Sequence, residues 1–383
     1  MSGFEIKGWC PGALRPMLSG DGWLVRIRPL GGQLTARQAA GIARASLHYG
    51  NGTIDLSARA NLQLRGVRDD AHEALIADLR DLGLIDESPR AEAARNIIVT
   101  PFEKTGALGV AGLLAAKLAV SPPLPDKFGF AVDIGLNPVL SGTSADIRLE
   151  RDESGGLILR PEGHPLGKPV TPYTAVSEAL DLAEWFLASG GVTDGRGRMA
   201  AHLAKGAVLP AGFDRPPAAS LPPPRPGPLE HAWMVGFAFG QIPAETLAAL
   251  VATQRAVRVT PWRMLILEGL GAVPDVPGVI TSPDDPLLNI TACTGAPGCA
   301  QALGETRALA RELVTRLPED VHLHLSGCAK GCAHPAPADL TLTATGAGYD
   351  LILNGTASDT PSLKGLTPQA IQDHLKAFHA PPL

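Results

Sequence analysis

Cysteine is scarce in this chain, with five residues among 383. Small domains that depend on disulfides carry many more, so a disulfide framework is excluded as the basis of the fold. The chain also lacks an excess of positive charge, since its formal net charge is −5. This balance argues against a general nucleic-acid-binding protein. The opening residues, MSGFEIKGWCPG, lack a basic segment followed by an apolar run. We therefore expect a cytoplasmic protein.

Long hydrophobic runs and nucleotide-binding motifs are lacking as well. The longest apolar stretch, Thr105 to Val120, contains Lys117 and three glycines. It is too short to span a bilayer, so it predicts a core helix and no membrane role. The pairs Gly31-Gly32 and Gly190-Gly191 lack the full dinucleotide-binding fingerprint, and no Walker-type phosphate loop is present.

Four of the five cysteines nevertheless form one pattern. The pairs Cys293-x5-Cys299 and Cys328-x3-Cys332 are separated by 28 residues. Structural zinc sites usually use closer pairs. Glycines beside the cysteines would let the backbone approach a bulky group, and these are Gly295, Gly298, Gly327 and Gly331. The pattern favours a [4Fe-4S] cluster bound by four thiolates, with a zinc ion or unligated thiols as alternatives.

A proline-rich linker over residues 210–228 divides the chain, because its prolines forbid helix and favour an extended connection. Periodicity before the linker predicts strands at Gly22 to Arg28, Thr53 to Leu56 and Asn61 to Val67, with helices at Thr35 to His48 and Ala71 to Leu82.

The part after the linker repeats this opening in degenerate form. Gly32-Gln33-Leu34-Thr35 matches Gly240-Gln241-Ile242-Pro243, which precedes a predicted helix from Glu245 to Thr253. The turn at Ala58-Arg59 then corresponds to Val257 to Arg263, and Ile97 to Val99 corresponds to Ile290 to Ala292. Two such halves would meet at a central cleft. Chance similarity between two strand-helix units is the alternative.

Further elements are predicted around the cysteines. They are a helix at Gln301 to Leu317 and strands at Val321 to Leu325, Asp339 to Thr345 and Tyr349 to Asn354. His322 and His324 would share one face of their strand. The cysteines would then lie on loops at the ends of strands and helices.

Basic residues suggest an anionic ligand. If residues 59–65 form a strand, Arg59, Asn61, Gln63 and Arg65 project from one face and can line a wall for a polyanion. Further candidates are Arg95, Lys127, Arg258 and Arg263. A solvated strand face is the alternative interpretation.

These motifs together resemble the siroheme-dependent nitrite and sulfite reductase superfamily over nearly the whole chain. The resemblance rests on the duplicated opening, the run Ser57 to Gln63, Arg95-Asn96, LPDKF at 124–128 and the four-cysteine set. GWCPGALRPMLSGDGWLVRIRP near the start and SGCAKGCAHP at 326–335 are similar, more narrowly, to the precorrin-3B synthase family of aerobic cobalamin biosynthesis.

The resemblance implies an α+β fold with duplicated nitrite/sulfite reductase-like architecture. Ferredoxin-like half-domains would occupy residues 1–88 and 229–280. Larger α/β domains that bind the [4Fe-4S] cluster and a tetrapyrrole would occupy 89–209 and 281–383, with the linker at 210–228.

The resemblance also assigns roles. Cys293, Cys299, Cys328 and Cys332 would bind the [4Fe-4S] cluster, with Cys332 nearest the tetrapyrrole. Arg59, Arg95 and Lys127 match basic residues that surround the substrate anion in the reductases, and they are the predicted catalytic residues. The predicted substrate-binding set is Arg59, Asn61, Gln63, Arg65, Arg95, Lys127 and Arg263. Sulfite reductases typically have a second lysine where this chain has Gly129, which we expect to open volume for a substrate.

The implied reaction is the hydroxylation of precorrin-3A at C20 by molecular oxygen, with γ-lactone formation. Electrons would come from a ferredoxin or an NAD(P)H-dependent reductase and pass through the cluster. The family is thought to hold an additional mononuclear non-haem iron. His322, His324 and His334 are candidate ligands, although structural histidines are the more common case. Cys10 would approach the substrate or act as a small buried hydrophobe.

Two other functions remain open at this point. A siroheme-dependent assimilatory nitrite or sulfite reductase would use the same fold and cluster, with the tetrapyrrole as cofactor. An iron-sulfur electron carrier or a zinc-stabilised binding module would have no affinity for tetrapyrroles.

Overall fold

The computed structural model describes residues 10–102, 106–252, 255–269, 271–318 and 320–378. The first two residues of the GWCPG motif, at positions 8 and 9, lie outside these residues, as do the predicted helix ends at Thr105 and Thr253. No helix in the described ranges is both long and apolar enough to cross a membrane.

Before the linker, the described chain alternates between short strands and helices. Its elements are β1 (Met17–Ser19), β2 (Gly22–Ile27), β3 (Gln33–Leu34), α1 (Ala36–Tyr49), β4 (Thr53–Leu56), β5 (Leu62–Val67), α2 (His72–Asp81), α3 (Pro89–Ala94), β6 (Ile97–Val99), α4 (Gly106–Leu118), β7 (Phe130–Asp133), β8 (Ile147–Arg151), β9 (Leu157–Pro161), β10 (Lys168–Pro169), α5 (Ala175–Ala188) and α6 (Met199–Ala204). Helix α1 begins after Thr35 because Thr35 and Gln38 cap it reciprocally through their side chains.

The second part repeats the pattern. Its elements are β11 (Gly227–Leu229), β12 (Ala232–Gly236), β13 (Gln241–Pro243), α7 (Ala244–Val251), β14 (Val257–Val259), β15 (Met264–Glu268), β16 (Ile290–Ala292), α8 (Arg307–Leu313), β17 (Leu323–Ser326), β18 (Ala338–Thr345), β19 (Gly348–Gly355), β20 (Leu363–Leu366) and α9 (Pro368–Phe378). Short 3-10 turns lie at Leu30–Gly32, Asp69–Ala71, Ala238–Gly240, Pro286–Asn289 and Val314–Arg316.

Two five-stranded sheets are built from strands exchanged between the halves. Their strand orders are β1-β2-β5-β4-β13 and β11-β12-β15-β14-β3. Strand β13 pairs antiparallel with β4, and β3 pairs antiparallel with β14. One hydrophobic core, which includes Ile42 of α1 and Leu247 of α7, serves both sheets. Each half therefore completes the sheet of the other, as expected for a duplicated chain.

Two further sheets share a second common pattern. The orders β6-β7-β8-β9-β10 and β16-β17-β18-β19-β20 each begin with two parallel pairings and end with two antiparallel pairings. Each sheet has its own hydrophobic core. The predicted α+β class and the duplication are thus confirmed, whereas the boundaries at residues 88, 209, 228 and 280 stay predictions.

The predicted helix at Gln301 to Leu317 is wrong in its first third. Helix α8 begins only at Arg307, because the backbone before it pairs with the cysteine loops. The N–H of Leu303 donates to the carbonyl of Gly327 at 2.7 Å, and the N–H of Ala296 donates to that of Gly304 at 2.9 Å. These tertiary hydrogen bonds replace the intrahelical ones.

The linker is held against the first large sheet. Its backbone forms isolated bridges that pair Asp152 with Pro217 and Gly167 with Arg215. The N–H of Leu221 also donates to the carbonyl of Pro138 at 2.8 Å. These bonds fix the path of the extended segment.

Candidate functional site

The four patterned cysteines follow two neighbouring parallel strands. Cys293 comes directly after β16, and Cys328 and Cys332 lie on the loop after β17. The backbone N–H of Gly327 donates to Sγ of Cys293 at 3.1 Å. Desolvation raises the pKa of the Cys332 thiol, and the nearby Cys293 sulfur raises it further. Cys332 is nevertheless exposed at the surface. The topology therefore brings the two pairs to one edge of the sheet.

The glycines let these loops pack closely. A Cβ on Gly327 would lie 2.8 Å from the Cβ of Ala302, and one on Gly295 would lie 2.5 Å from Oγ1 of Thr306. Gly295 also has a φ of 68°, a conformation that favours glycine. All five cysteines are free.

The spacing of the thiols bears on the metal they would hold. Within the described residues, no group of three or more His, Cys, Asp or Glu side chains is close enough to share one metal ion. A tetrahedral zinc site needs four ligands around one ion. The four patterned thiols, the Gly327 amide donor and the closely packed glycine loops fit the thiolate ligation of an iron-sulfur cluster.

The segment over residues 59–65, which runs from a turn into strand β5, contacts both large sheets through an arginine at each of its two ends. Arg59 donates to the carbonyl of Lys127 at 3.1 Å and to Oγ of Ser144 at 3.3 Å, near the first large sheet. Arg65 donates to the carbonyl of Gly298, next to Cys299, at 2.6 Å. The surface between these two ends is the β5 cleft.

One detail of the predicted wall is wrong. Arg59 and Asn61 do not share a strand face with Gln63 and Arg65, because β5 begins at Leu62 and the chain turns at residues 57–61. Ala60 in this turn has a φ of 53°, which breaks the alternation that the prediction assumed. Arg59 still reaches the cleft, from the turn instead of from the strand.

The other predicted basic residues differ in their availability. Arg95 forms a 2.6 Å ion pair with Asp86, and Arg65 forms a 2.7 Å ion pair with Asp21. Lys127 has an exposed side chain. Arg263 donates to the carbonyl of Ala333 at 3.0 Å, beside the second cysteine pair. Arg65 and Arg95 therefore have structural partners, and the substrate-binding role of all these residues stays a prediction.

Arg258 lies outside the β5 cleft. Its guanidinium forms a 2.6 Å ion pair with Glu268 and also donates to the carbonyl of Pro101. It therefore holds the second exchanged sheet against the segment after β6.

Sequence reasoning missed two arginines that accompany Arg59. Arg26 and Arg28 lie on and just after β2, and their guanidinium groups interact electrostatically with Arg59. The pKa of Arg26 is lowered to about 10, mainly by burial and then by the charge of Arg28, while Cys10, hydrogen-bonded to Arg26, opposes the shift. Burial likewise lowers the pKa of Arg28 and of Arg59. Arg26, Arg28 and Arg59 are hereafter the arginine cluster.

In the described part of the chain, no arginine of the cluster forms a close ion pair with a carboxylate, although Glu92 acts electrostatically on Arg28 and Asp146 on Arg59 from a longer distance. Arg26 donates to Oε1 of Gln63 at 2.8 Å, and Nε of Arg28 and Nη1 of Arg59 are buried without a hydrogen-bond partner. Unpaired buried cations are costly, so this arrangement suits an anionic ligand.

Cys10 is held beside this cluster by its own segment. Arg28 donates to the carbonyl of Pro11 at 3.1 Å, and the carboxylate of Glu92 accepts from the N–H of Ala13 at 2.5 Å and of Leu14 at 3.1 Å. The alternation Arg26-x-Arg28 beside this segment was the signal that sequence reasoning could have used.

Gly129 does not open volume, contrary to the sequence expectation. A Cβ at this position would lie 2.8 Å from Nδ2 of Asn96 and 3.1 Å from Nη1 of Arg59. The space is therefore filled by these two side chains. Gly129 lets Arg59 approach the backbone, and a lysine here would displace it.

The three candidate iron ligands form a cluster of rings. His322 and His334 lie 4.7 Å apart, and His324 and His334 lie 5.6 Å apart, measured between ring centroids. Nε2 of His322 is 2.9 Å from Oγ1 of Thr291. His324 is fully buried, neither of its nitrogens has a partner, and burial lowers its pKa to about 4, with His334 contributing. In the described residues these rings do not converge on one metal ion.

Comparisons with known proteins agree with this architecture. The family model for the nitrite/sulfite reductase ferredoxin-like half domain matches residues 15–82. A protein from Sinorhizobium sp named precorrin-3B synthase is 30% identical over 395 residues, covering 93% of this chain and 84% of the relative. The chain belongs to the precorrin-3B synthase family. It is therefore an oxidoreductase.

A solved structure supports the fold independently. The Mycobacterium tuberculosis NirA protein matches with a TM-score of 0.65 and 19% identity, over 92% of this chain and 79% of that protein. At this identity the likeness shows the fold alone. It confirms the predicted nitrite/sulfite reductase-like architecture.

Proposed function

We propose that this enzyme is a monooxygenase that hydroxylates precorrin-3A at C20 with molecular oxygen and closes an acetate side chain into a γ-lactone. The observation that carries the proposal is the arrangement of arginines along residues 59–65. At the first end, three arginines form no close ion pair with a carboxylate in the described residues, and Arg65 at the second end is bonded to the cysteine loop. A polyanionic macrocycle at the first end would lie beside a redox centre at the second.

The arginine cluster supports a precorrin as the ligand. Precorrin-3A carries several carboxylates, and guanidinium groups bind carboxylates through paired, charge-assisted hydrogen bonds. Arg26 and Arg59 would take carboxylates of the macrocycle, while Gln63 holds Arg26 in place. Lys127, which is exposed at the same end, would neutralise a further carboxylate.

The cysteine loops support electron delivery. A [4Fe-4S] cluster bound by Cys293, Cys299, Cys328 and Cys332 would supply single electrons. The Gly327 N–H would stabilise the Cys293 thiolate, and Arg65 would fix the backbone beside Cys299. One oxygen atom of O2 enters the product, and the other leaves as water with two electrons and two protons. A ferredoxin or an NAD(P)H-dependent reductase would supply these electrons.

A turnover experiment tests the proposal. Anaerobically purified enzyme would receive precorrin-3A, a reduced ferredoxin system and 18O2, with mass spectrometry of the products. We expect a product that gains one labelled oxygen atom and contains a lactone. No labelled product, together with reduction of nitrite or sulfite by the same preparation, would favour the siroheme-dependent reductase instead.

A further inference from the structure

A second cavity, of about 420 Å³, lies between the second exchanged sheet and the sheet that carries the cysteines. Its walls include Phe237, Phe239, Trp262, Arg263 and His322. Small-molecule sites span roughly 300–1,000 Å³. This cavity is at the lower end of that range, so it fits a ligand of one or two rings better than a four-ring macrocycle.

The turns of the two halves place this cavity at a position equivalent to the arginine cluster. The turns over residues 57–61 and 260–264 are closed by the same hydrogen bond, from the N–H of the first residue to the carbonyl of the last, at 2.9 and 3.0 Å. The fourth residue of each has a positive φ, of 53° and 60°. Trp262 therefore occupies the place of Arg59.

The large sheets give the same correspondence. Strands β6 and β7 pair from their first residues, and so do β16 and β17. The residues before these strands are therefore equivalent, so Asn289 corresponds to Asn96 and His322 corresponds to Gly129. Asn289 and His322 both line the cavity. The equivalent positions of the two halves therefore carry different chemistry.

The chemistry of the second cavity combines aromatic rings with few cations. Trp262 replaces an arginine, and Phe237 and Phe239 supply further rings. Arg263 donates to the carbonyl of Ala333 at 3.0 Å and forms no ion pair within the described residues. Aromatic surfaces bind planar rings, and a guanidinium binds an anionic group.

We propose that this second cavity binds a planar aromatic anion of one or two rings, with its ring against Trp262 and its anionic group on Arg263. Arg263 is bonded to the residue that follows Cys332. The ligand would therefore lie one side chain from the cysteine loop. The proposal does not depend on the identity of the tetrapyrrole or of the reaction.

Fluorescence titration of the purified full-length protein tests this proposal, with 2-naphthoate as the anionic probe and 2-naphthamide as its uncharged analogue. Arg263→Asn removes the cation that is proposed to hold the anionic group and leaves Arg225, the other arginine of the cavity wall, in place. Asparagine tolerates the φ of 60°. We expect at least about tenfold weaker binding of the anionic probe and little change for the neutral one. Arg44→Gln, at an exposed arginine of α1, should change neither.

Three results would overturn the proposal. One is unchanged affinity of the anionic probe in Arg263→Asn. Another is loss of that affinity in Arg59→Gln, which would place the probe in the β5 cleft. If Arg263→Asn fails to fold, Trp262→Leu decides the question, because it should weaken both probes. Unchanged binding of both probes in Trp262→Leu would be the third contradicting result.

Discussion

Arg65 should control both the stability of the protein and the integrity of the cysteine loop. Its side chain is only 5% exposed and forms a 2.7 Å ion pair with Asp21, together with a 2.6 Å hydrogen bond to the Gly298 carbonyl. Breaking a fully buried pair costs about 3–5 kcal/mol. Asp21 retains 21% exposure and can regain water, so we expect Arg65→Met to cost about 2–3 kcal/mol.

Urea unfolding under anaerobic conditions would measure this cost. Arg68→Met is a matched control, because Arg68 has a 54% exposed side chain, a 3.7 Å pair with the exposed Asp70 and a solvent-exposed hydrogen bond to the His48 carbonyl. The control should cost less than about 1 kcal/mol. Arg65→Met should also speed the loss of iron-sulfur absorbance, since Gly298 precedes Cys299. Equal costs for the two variants, with equal rates of loss, would refute the bridging role of Arg65.

Three further predictions follow from the site. Arg26→Gln and Arg59→Gln should each weaken precorrin-3A binding at least about tenfold by calorimetry, because each removes a charge-assisted contact; Arg44→Gln should not. Gly129→Lys should lower the thermal midpoint and precorrin affinity by displacing Arg59, whereas Gly142→Lys, at a glycine with open space around it, should leave both unchanged. His324 has a folded pKa of about 4, below its unfolded value near 6.5, and faces His322, His334 and Arg263. Between these two values the unfolded protein binds a proton at His324 that the folded protein does not. The free energy of unfolding should therefore fall by about 2–3 kcal/mol as the pH falls from about 6.5 to 4. His324→Phe should reduce this pH dependence, as measured by unfolding at a series of acidic pH values.

The repeat and the cysteine loops were predictable because their signals are local. Short motifs such as Gly32-Gln33 and Gly240-Gln241 mark equivalent turns, and the placement of cysteines after β16 and β17 follows from strand patterning. The exchange of β3 and β13 between the sheets was not predictable, because it depends on pairing between distant parts of the chain.

The errors in the predicted site have the same cause, which is contact between distant parts of the chain. The alternation Arg26-x-Arg28 is visible in the sequence, but the position of Arg26 opposite Gln63 depends on the pairing of β2 with β5, which no local pattern indicates. Gly129 suggested free space by its missing side chain, but Asn96 and Arg59 fill that space from other elements. Residues 301–306 have a helical pattern, yet their backbone bonds to the cysteine loops instead.

The central claim is that this chain holds an iron-sulfur cluster and treats the tetrapyrrole as a substrate. An absorption spectrum of the anaerobically purified protein, with iron and acid-labile sulfide assays on the same sample, tests it most directly. The account predicts broad iron-sulfur absorption, about four iron atoms and four sulfides per chain in the cluster, and no macrocycle bands. Intense siroheme bands would contradict the assignment of the tetrapyrrole as substrate, and zinc without sulfide would contradict the cluster itself.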